Sequence, residues 1–593
     1  MTEHFGNGDW SAAKMSRLIQ EKTIPTTPGF SFTHGPLEPS LQTTTIGDLL
    51  KFHAESSPDH CALIAPSSST RLTYSELNDR IALVARALLS SGIKAGDRVG
   101  IFAGNTAEWV EVFLATARIG AVAVLLNTFF TTSEIKDSVR FTECSLLFIS
   151  DTLGSHDLWP CINYLETVME NGRAECLLPD LKEIVIFSSN IQKGCRFRSY
   201  ETYLLRTMRT SEADLGSIEK RVTSDMVCNF QFTSGTTGLP KAAALSHFNI
   251  INNAVLMGQI IRLTRDDIVC CPAPLFHAAG LVLGLIGCLT HGATLVLPSP
   301  TFDPAITAQV LRSEQCTAIH GVPTILAAIV ASYQQMDVRP PPLRTGILGG
   351  SQVSPALLRK VQASFGLQDL GVAYGMTETS PLSYIGTGRH ADDTAIWLSI
   401  MPHTYAKVID KQGKIVPTGV PGELCIAGYL LQQGYYRNPE KTQEVMRFDE
   451  DKQLLWMHTG DEAIMNENGD CHITGRLKEI IIRGGENVYP GEIEDRLNLH
   501  PAIAMSAVVG IEDKKYGEVV GAFLELVGQD PPVIEEIQSW VRQTLGKHKA
   551  PQWVFYLGKE GVPDCFPKTG SGKIKKTDLS AIGNRLVHRK GKL

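Results

Sequence analysis

Two periods of apolar and polar residues run along this chain, and the change from one to the other divides it. Val99 to Ala103 is an apolar run, and Asn105 with Glu108 three positions on reads as a capping box. Trp109 to Ile119 then carries helical periodicity, Gly120 stops it, and Val122 to Leu126 is apolar again. That order predicts a βαβ unit. Further β-rich runs at Leu146–Ser150, Glu183–Phe187 and Ala293–Leu297 are spaced by helix-length stretches, the alternation of parallel sheets covered by helices. Ala278 to Leu289 is the most apolar stretch; Thr290 and His291 end it short of the ~20 residues a membrane span needs, so it reads as a buried core helix.

From about Gly386 the period shortens. Ala406–Ile409, Gly422–Ile426, Ile464–Met465 and His472–Ile473 are short strands broken by turn residues, which predicts a small β-rich subdomain. After Gly475-Arg476-Leu477-Lys478 come a glycine loop, a helix from Pro490, strands Met505–Gly510 and Val519–Leu526, and a helix with Ile534, Ile537, Val541 and Leu545 on one side. The expected fold is α/β: residues 1–42 an extension, 43–476 a large domain of helix-covered, mostly parallel sheets with a β-rich subdomain at about 386–476, and 477–593 a smaller α+β domain.

Composition narrows the class without naming a function. A length of 593 residues exceeds one core's usual reach, and 20% charged against 43% apolar residues describes an ordinary globular chain. A net charge of −7 gives no footprint for nucleic acid. The 13 cysteines form no CxxC, so neither a zinc motif nor a disulfide framework is expected, and the compartment reads as reducing. Cys270 and Cys271 read as part of a buried strand rather than a redox pair. No secretory or mitochondrial presequence is expected at the N-terminus. Gly591-Lys592-Leu593 is a weak match to a peroxisomal address, leaving cytoplasm and peroxisome open.

The densest chemical signal is Thr233-Ser234-Gly235-Thr236-Thr237-Gly238-Leu239-Pro240-Lys241. Glycines let backbone N–H groups converge, hydroxyls add donors and the lysine adds charge, which suits a polyphosphate; a flexible surface turn is the competing reading. The glycine spacing is not that of a Walker A loop.

This nonapeptide resembles the signature loop of the adenylate-forming superfamily of acyl-CoA synthetases, luciferases and peptide-synthetase adenylation domains. Further motifs of that family follow in order: Ala273 to Gly280, Gly349-Gly350-Ser351, Tyr374-Gly375-Met376-Thr377-Glu378-Thr379, Thr459-Gly460-Asp461, Gly475 to Glu494, and Pro567 to Lys573. The likeness spans about Thr43 to Asp578. It is nearest to the medium-chain acyl-CoA synthetase branch in Ser31 to Gly35, Ala244 to Asn249 and Arg483 to Pro490.

The resemblance implies an ATP-dependent acid:CoA ligase with ATP, Mg²⁺ and CoA as cofactor and co-substrates. It implies ATP contacts from Thr233 to Gly238, Lys241, Gly350, Ser351, Tyr374, Gly375 and Thr377, with Thr236 also catalytic. Tyr374 would lie against adenine, Glu378 would hold Mg²⁺, and Asp461 with Arg476 would bind the ribose. It implies Lys573 on a mobile loop as the main adenylation residue, Lys478 as hinge, and Gly484, Gly485 and Glu486 at CoA. His277 would gate an acyl pocket with Ala278, Ala279, Gly280 and Gly349, whose small size favours an aliphatic or bulky acid. On residue type alone, Glu378 is a solvated carboxylate at a helix start, Asp461 a turn residue, His277 a core histidine, Lys573 a solvated loop lysine, and the two glycines a plain turn.

Two positions depart from the family pattern. Ala242 replaces the usual glycine after the loop lysine, and Ser399-Ile400-Met401-Pro402 stands where a Gly-x-Pro turn is usual, which puts the adenine side in question. A separate carrier protein as acyl acceptor, a luciferase-like oxygenase and a non-enzymatic binding protein stay open. The acid (medium-chain, aryl, or a hydroxy acid such as mevalonate) and the oligomeric state are not specified.

Overall fold

The computed structural model describes residues 28–590 apart from 171–176, 189–190, 210, 234–240, 352, 368–369, 388–394, 451–452, 529, 560 and 570–572. Two large sheets form the body of the chain. One has seven strands, in the order Arg198–Ser199, Glu183–Phe187, Cys144–Ser150, Arg98–Phe102, Val122–Leu125, Val227–Thr233, Lys241–Ser246, parallel until the last antiparallel pair. The other has nine; its parallel centre runs through Leu370–Gly375, Thr345–Gly349, Ala318–Gly321, Ile268–Cys270, Thr294–Val296 and Cys61–Ala65. The buried strands read as unbroken apolar runs because helices cover both faces.

The βαβ unit has a different cap from the one expected. Thr106, not Asn105, accepts from Trp109 N–H at the head of helix Ala107–Arg118. The Asn105 amide instead donates to Ala273 O and accepts from Leu275 N–H, both at 2.9 Å, clamping a loop of the other sheet. An asparagine serves either purpose, and the partner that folds against it decides. The expected buried core helix at Ala278–Leu289 is present, as a π-helix over Ala279–Ile286 continued by α-helix Gly287–His291. Cys270 and Cys271 are buried free thiols.

A third, antiparallel sheet takes Thr404–Ile409, Gly422–Gly428, Leu454–Met465, Met446–Asp449 and Cys471–Arg476, and it is completed by Phe32–His34 from far upstream. After it, a five-stranded sheet has its own cores on both faces. Ile493, Leu497, Ile537 and Val541 fill one face, each burial being worth about 1.5–3 kcal/mol, and helix Lys576–Lys590 covers the other. A unit with its own core can move as a body.

Candidate active site

The carboxyl ends of the nine-stranded sheet supply the first group of side chains, the edge where open α/β sheets bind ligands. Strands Thr345–Gly349 and Leu370–Gly375 are parallel neighbours, so Gly350 and Ser351 leave the sheet beside Tyr374. Gly375 has to be glycine, since a Cβ there would lie 1.7 Å from Pro381 O. The chain then turns through a short 3-10 segment, Thr377–Thr379, which leaves Thr377 partly exposed and buries Glu378.

The third sheet supplies the second group. Asp461 and Arg476 are cross-strand partners, with the Arg476 Nε 3.5 Å from Asp461 Oδ1. The Tyr374 hydroxyl donates to Asp461 Oδ2 at 2.7 Å, joining two sheets at one carboxylate. Asp461 N–H donates to Thr459 Oγ1, which itself donates to Leu424 O, so the anchor is held from behind. Burial pushes the Asp461 carboxyl above the ordinary range, and Arg476, the Tyr374 hydroxyl and Lys573 pull against it.

Lys573 comes from the C-terminal unit. Thr569 and Lys573 bond to each other at both ends of the loop tip, and Lys575 N–H donates to Pro567 O. Lys573 is partly buried; burial, then the Arg476 charge, lowers the pKa of its ammonium against the charges of Asp461, Glu378 and Glu479. Its charge also reaches His277, whose pKa falls to about 4, chiefly through burial. The His277 imidazole is therefore neutral at pH 7, its Nδ1 accepting from Ala279 N–H at 3.3 Å. Ala278, Gly280 and Gly349 are buried, and Ala279 is partly exposed.

Glu378 is held by Tyr435, whose hydroxyl donates to Oε1 at 2.6 Å. Lys241 lies over the same ring, its Nζ 5.4 Å from the centroid. Thr233 and Lys241 are register partners, so they bracket the segment expected to bind phosphate; Ser234, Gly235, Thr236, Thr237 and Gly238 lie outside the described residues. Ala242 is fully buried in the strand that follows, where a methyl group fits the core. Ser399–Ile400 forms a strand paired with Leu382–Thr387 in place of the usual turn.

The structure thus bonds Tyr374, Asp461 and Arg476 to one another and leaves Lys573 within electrostatic reach of Asp461, Arg476, Glu378 and His277. It does not bring Gly484, Gly485 and Glu486 into that cluster. Those residues close an exposed hairpin between Ile481–Arg483 and Glu486–Val488, with φ of +60° and +89° at the two glycines, backbone angles that favour glycine. Their contacts are Tyr516 and His548 of their own unit. Lys478 is exposed between the two units.

The model of the AMP-binding enzyme matches residues 50–436, and that of the AMP-binding enzyme C-terminal domain matches 492–573. The chain belongs to the AMP-binding enzyme family. Acyl-CoA ligase sidI of Beauveria bassiana is 42% identical over 97% of this chain and 98% of the relative. The human medium-chain acyl-CoA ligase ACSF2, mitochondrial, is 32% identical over 96% and 94%. The crystal structure of the anthranilate CoA ligase AuaEII in complex with anthranoyl-AMP matches with a TM-score of 0.80 at 24% identity, covering 92% of this chain and 98% of that one, a likeness of fold.

In this AMP-binding enzyme, Tyr435, Thr459 and Glu479 also touch the cluster, and sequence reasoning passed over all three. Thr459 lay inside a quoted motif and could have been found there. Tyr435 acts through a contact distant in sequence, and Glu479 bonds Arg476 O through a backbone N–H that any residue but proline could supply, so neither carries a spacing signal. No helix among the described residues is long and apolar enough to cross a membrane.

Proposed function

We infer that the chain is an ATP-dependent acid:CoA ligase: acid and ATP give acyl-AMP and pyrophosphate, then acyl-AMP and CoA give acyl-CoA and AMP. The observation that carries the reading is the Asp461 anchor, bonded to Tyr374 and paired with Arg476, with the C-terminal Lys573 within electrostatic reach of it. In this scheme Asp461 accepts the ribose hydroxyls and Arg476 reinforces it. Lys573 offsets the charge that develops as the acid oxygen meets the α-phosphate, an electrostatic role that positioned cations fill well. Neutral His277 can line the acyl channel without competing for the carboxylate.

Glu378 fits a cation ligand. Tyr435 takes one carboxylate oxygen, and among the described residues the other accepts no hydrogen bond. A hard cation such as Mg²⁺ prefers such oxygens, and when bound it would neutralise phosphate charge. The second half-reaction needs the glycine hairpin at the nucleotide, which a rotation about Lys478 would supply.

The test is Lys573→Ala. It should lower acid-dependent pyrophosphate release about 10²–10³-fold while sparing thioester formation from supplied acyl-AMP. Equal loss in both assays counts against the assignment. For the acid, the small residues around His277 and the ACSF2 name favour an aliphatic medium-chain substrate, to be read from pyrophosphate release across an acid panel. Gly591-Lys592-Leu593, outside the described residues, motivates a peroxisomal location; deleting Lys592 and Leu593 should return the protein to the cytoplasm.

A further inference from the structure

The third sheet carries a cluster behind the nucleotide anchor that the ligase chemistry does not use. Cys425 and His458 are cross-strand partners on Gly422–Gly428 and Leu454–Met465. Glu423 precedes Cys425 by two residues and so shares its face. The His458 Nδ1 stands 3.1 Å from Glu423 Oε2 and 3.6 Å from Cys425 Sγ. One donor atom from each of the three lies within 4.8 Å of the others.

His458 already hydrogen-bonds Glu423 with the Cys425 thiol alongside, and the same spacings suit a metal. Tetrahedral zinc, with bonds of about 2.0–2.1 Å to nitrogen and oxygen and about 2.3 Å to sulfur, holds its donors roughly 3.3–3.6 Å apart. The two measured edges already lie near that range, so closure needs side-chain adjustment rather than backbone movement. An imidazole, a thiol and one carboxylate make a borderline-soft donor set, whereas magnesium and calcium take oxygens alone. Cys425 forms the buried floor with Trp456 and Tyr405, while His458 and Glu423 keep 13% and 25% of their side-chain surface, leaving a solvent side for a fourth, water ligand.

We propose that Glu423, Cys425 and His458 form a three-ligand Zn²⁺ site on the back of the third sheet. The nearby cation Lys407 is turned onto the Trp456 ring, 4.2 Å from its centroid, and toward Asp449. Burial pushes the Cys425 thiol up to about 12, so the ion binds by displacing its proton: Cys–SH and Zn²⁺ give Cys–S⁻–Zn²⁺ and H⁺. Uptake therefore releases a proton and weakens as pH falls. The site touches the nucleotide anchor from behind, because Glu423 Oε1 accepts from Gly460 N–H at 3.2 Å and Gly460 precedes Asp461. Zinc drawing Glu423 and His458 together would stiffen that strand pair and alter nucleotide affinity.

The experiment uses the full chain, stripped with chelator and titrated with Zn²⁺ alone against a chromogenic competitor, with proton release followed in parallel. One ion per chain is expected. Cys425→Ser and His458→Ala should each weaken binding about 100-fold or more, since loss of outer partners alone costs 10–100-fold. His472→Ala, on the neighbouring strand Cys471–Arg476, should bind as wild type. Should the cysteine variant not fold, Co²⁺ on the wild-type chain still reads the ligand directly, through a thiolate-to-metal charge-transfer band. Absence of stoichiometric uptake, uptake unchanged in both ligand variants, or a cobalt spectrum without that band overturns the proposal.

Discussion

The Asp461 anchor and the Gly484–Glu486 hairpin are assigned to successive halves of one proposed reaction, yet they are built in opposite ways. Asp461 is bonded to Tyr374 and paired with Arg476, with Lys573 close by, and its loop is tied to Leu424. The hairpin is exposed and, among the described residues, its hydrogen bond and ion pair go to Tyr516 and His548 of its own unit. One region is assembled before substrate arrives; the other stands clear. The difference suits a site that completes adenylation in this pose and recruits the hairpin only after the C-terminal unit turns.

That contrast can be broken at the anchor first. Beyond the loss expected for Lys573→Ala, Asp461→Asn should raise the KM for ATP about 10–100-fold, the worth of charge-assisted hydrogen bonds, with a smaller effect on the acid. An equal rise for both substrates would mean that Asp461 shapes the whole cleft. Gly485→Val forces a branched side chain to φ of +89°. It should slow thioester formation about tenfold, through strain of about 1–3 kcal/mol, and leave pyrophosphate release intact. Loss of both would show the hairpin to be structural.

Tyr435→Phe removes the donor to Glu378 and should lower the adenylation rate about 3–10-fold, for a hydrogen bond worth about 1 kcal/mol, with Mg²⁺ dependence shifted to higher concentration. Thioester formation from supplied acyl-AMP should not change.

The smallest effect concerns the contact between the regions. Ile493 and Leu497 of helix Pro490–Leu497 face the C-terminal core, so Asp495 faces away from it, and the same helix packs on strand Cys471–Arg476. Burial, then Glu494, pushes the Asp495 carboxyl to about 7 from an ordinary 3.8, against the Lys576 charge. The folded state thus holds a proton that the unfolded state loses. The associated stability is complete below the lower value and is lost as pH rises through about 7. Asp495→Asn should raise Tm at pH 8 by about 2–4 °C, the shift of roughly 1 kcal/mol, and leave it unchanged at pH 4. A pH-independent difference would place the effect in packing.

Local features were legible where residue type and spacing suffice. The strand Glu183–Phe187 and the helix stripe of Ile537 and Val541 follow from periodicity, because burial on one face selects apolar side chains at a fixed interval. The glycine pair at 484 and 485 announced a tight turn for the same local reason. By itself, then, the sequence determined the α/β alternation, the shorter period from about Gly386, and the residue types of the polar cluster.

Tertiary structure decided who meets whom. Tyr374 and Asp461 are 87 residues apart and belong to different sheets. Tyr435 reaches Glu378 across 57 residues, and Phe32–His34 closes a sheet whose other strands begin at Thr404. Asn105 showed how little a capping motif settles once a partner from another sheet can take the same amide. Hydrogen-bonding capacity is written in each residue, but the partner that uses it is chosen by the packing of elements far apart in the chain, and no local pattern records that choice.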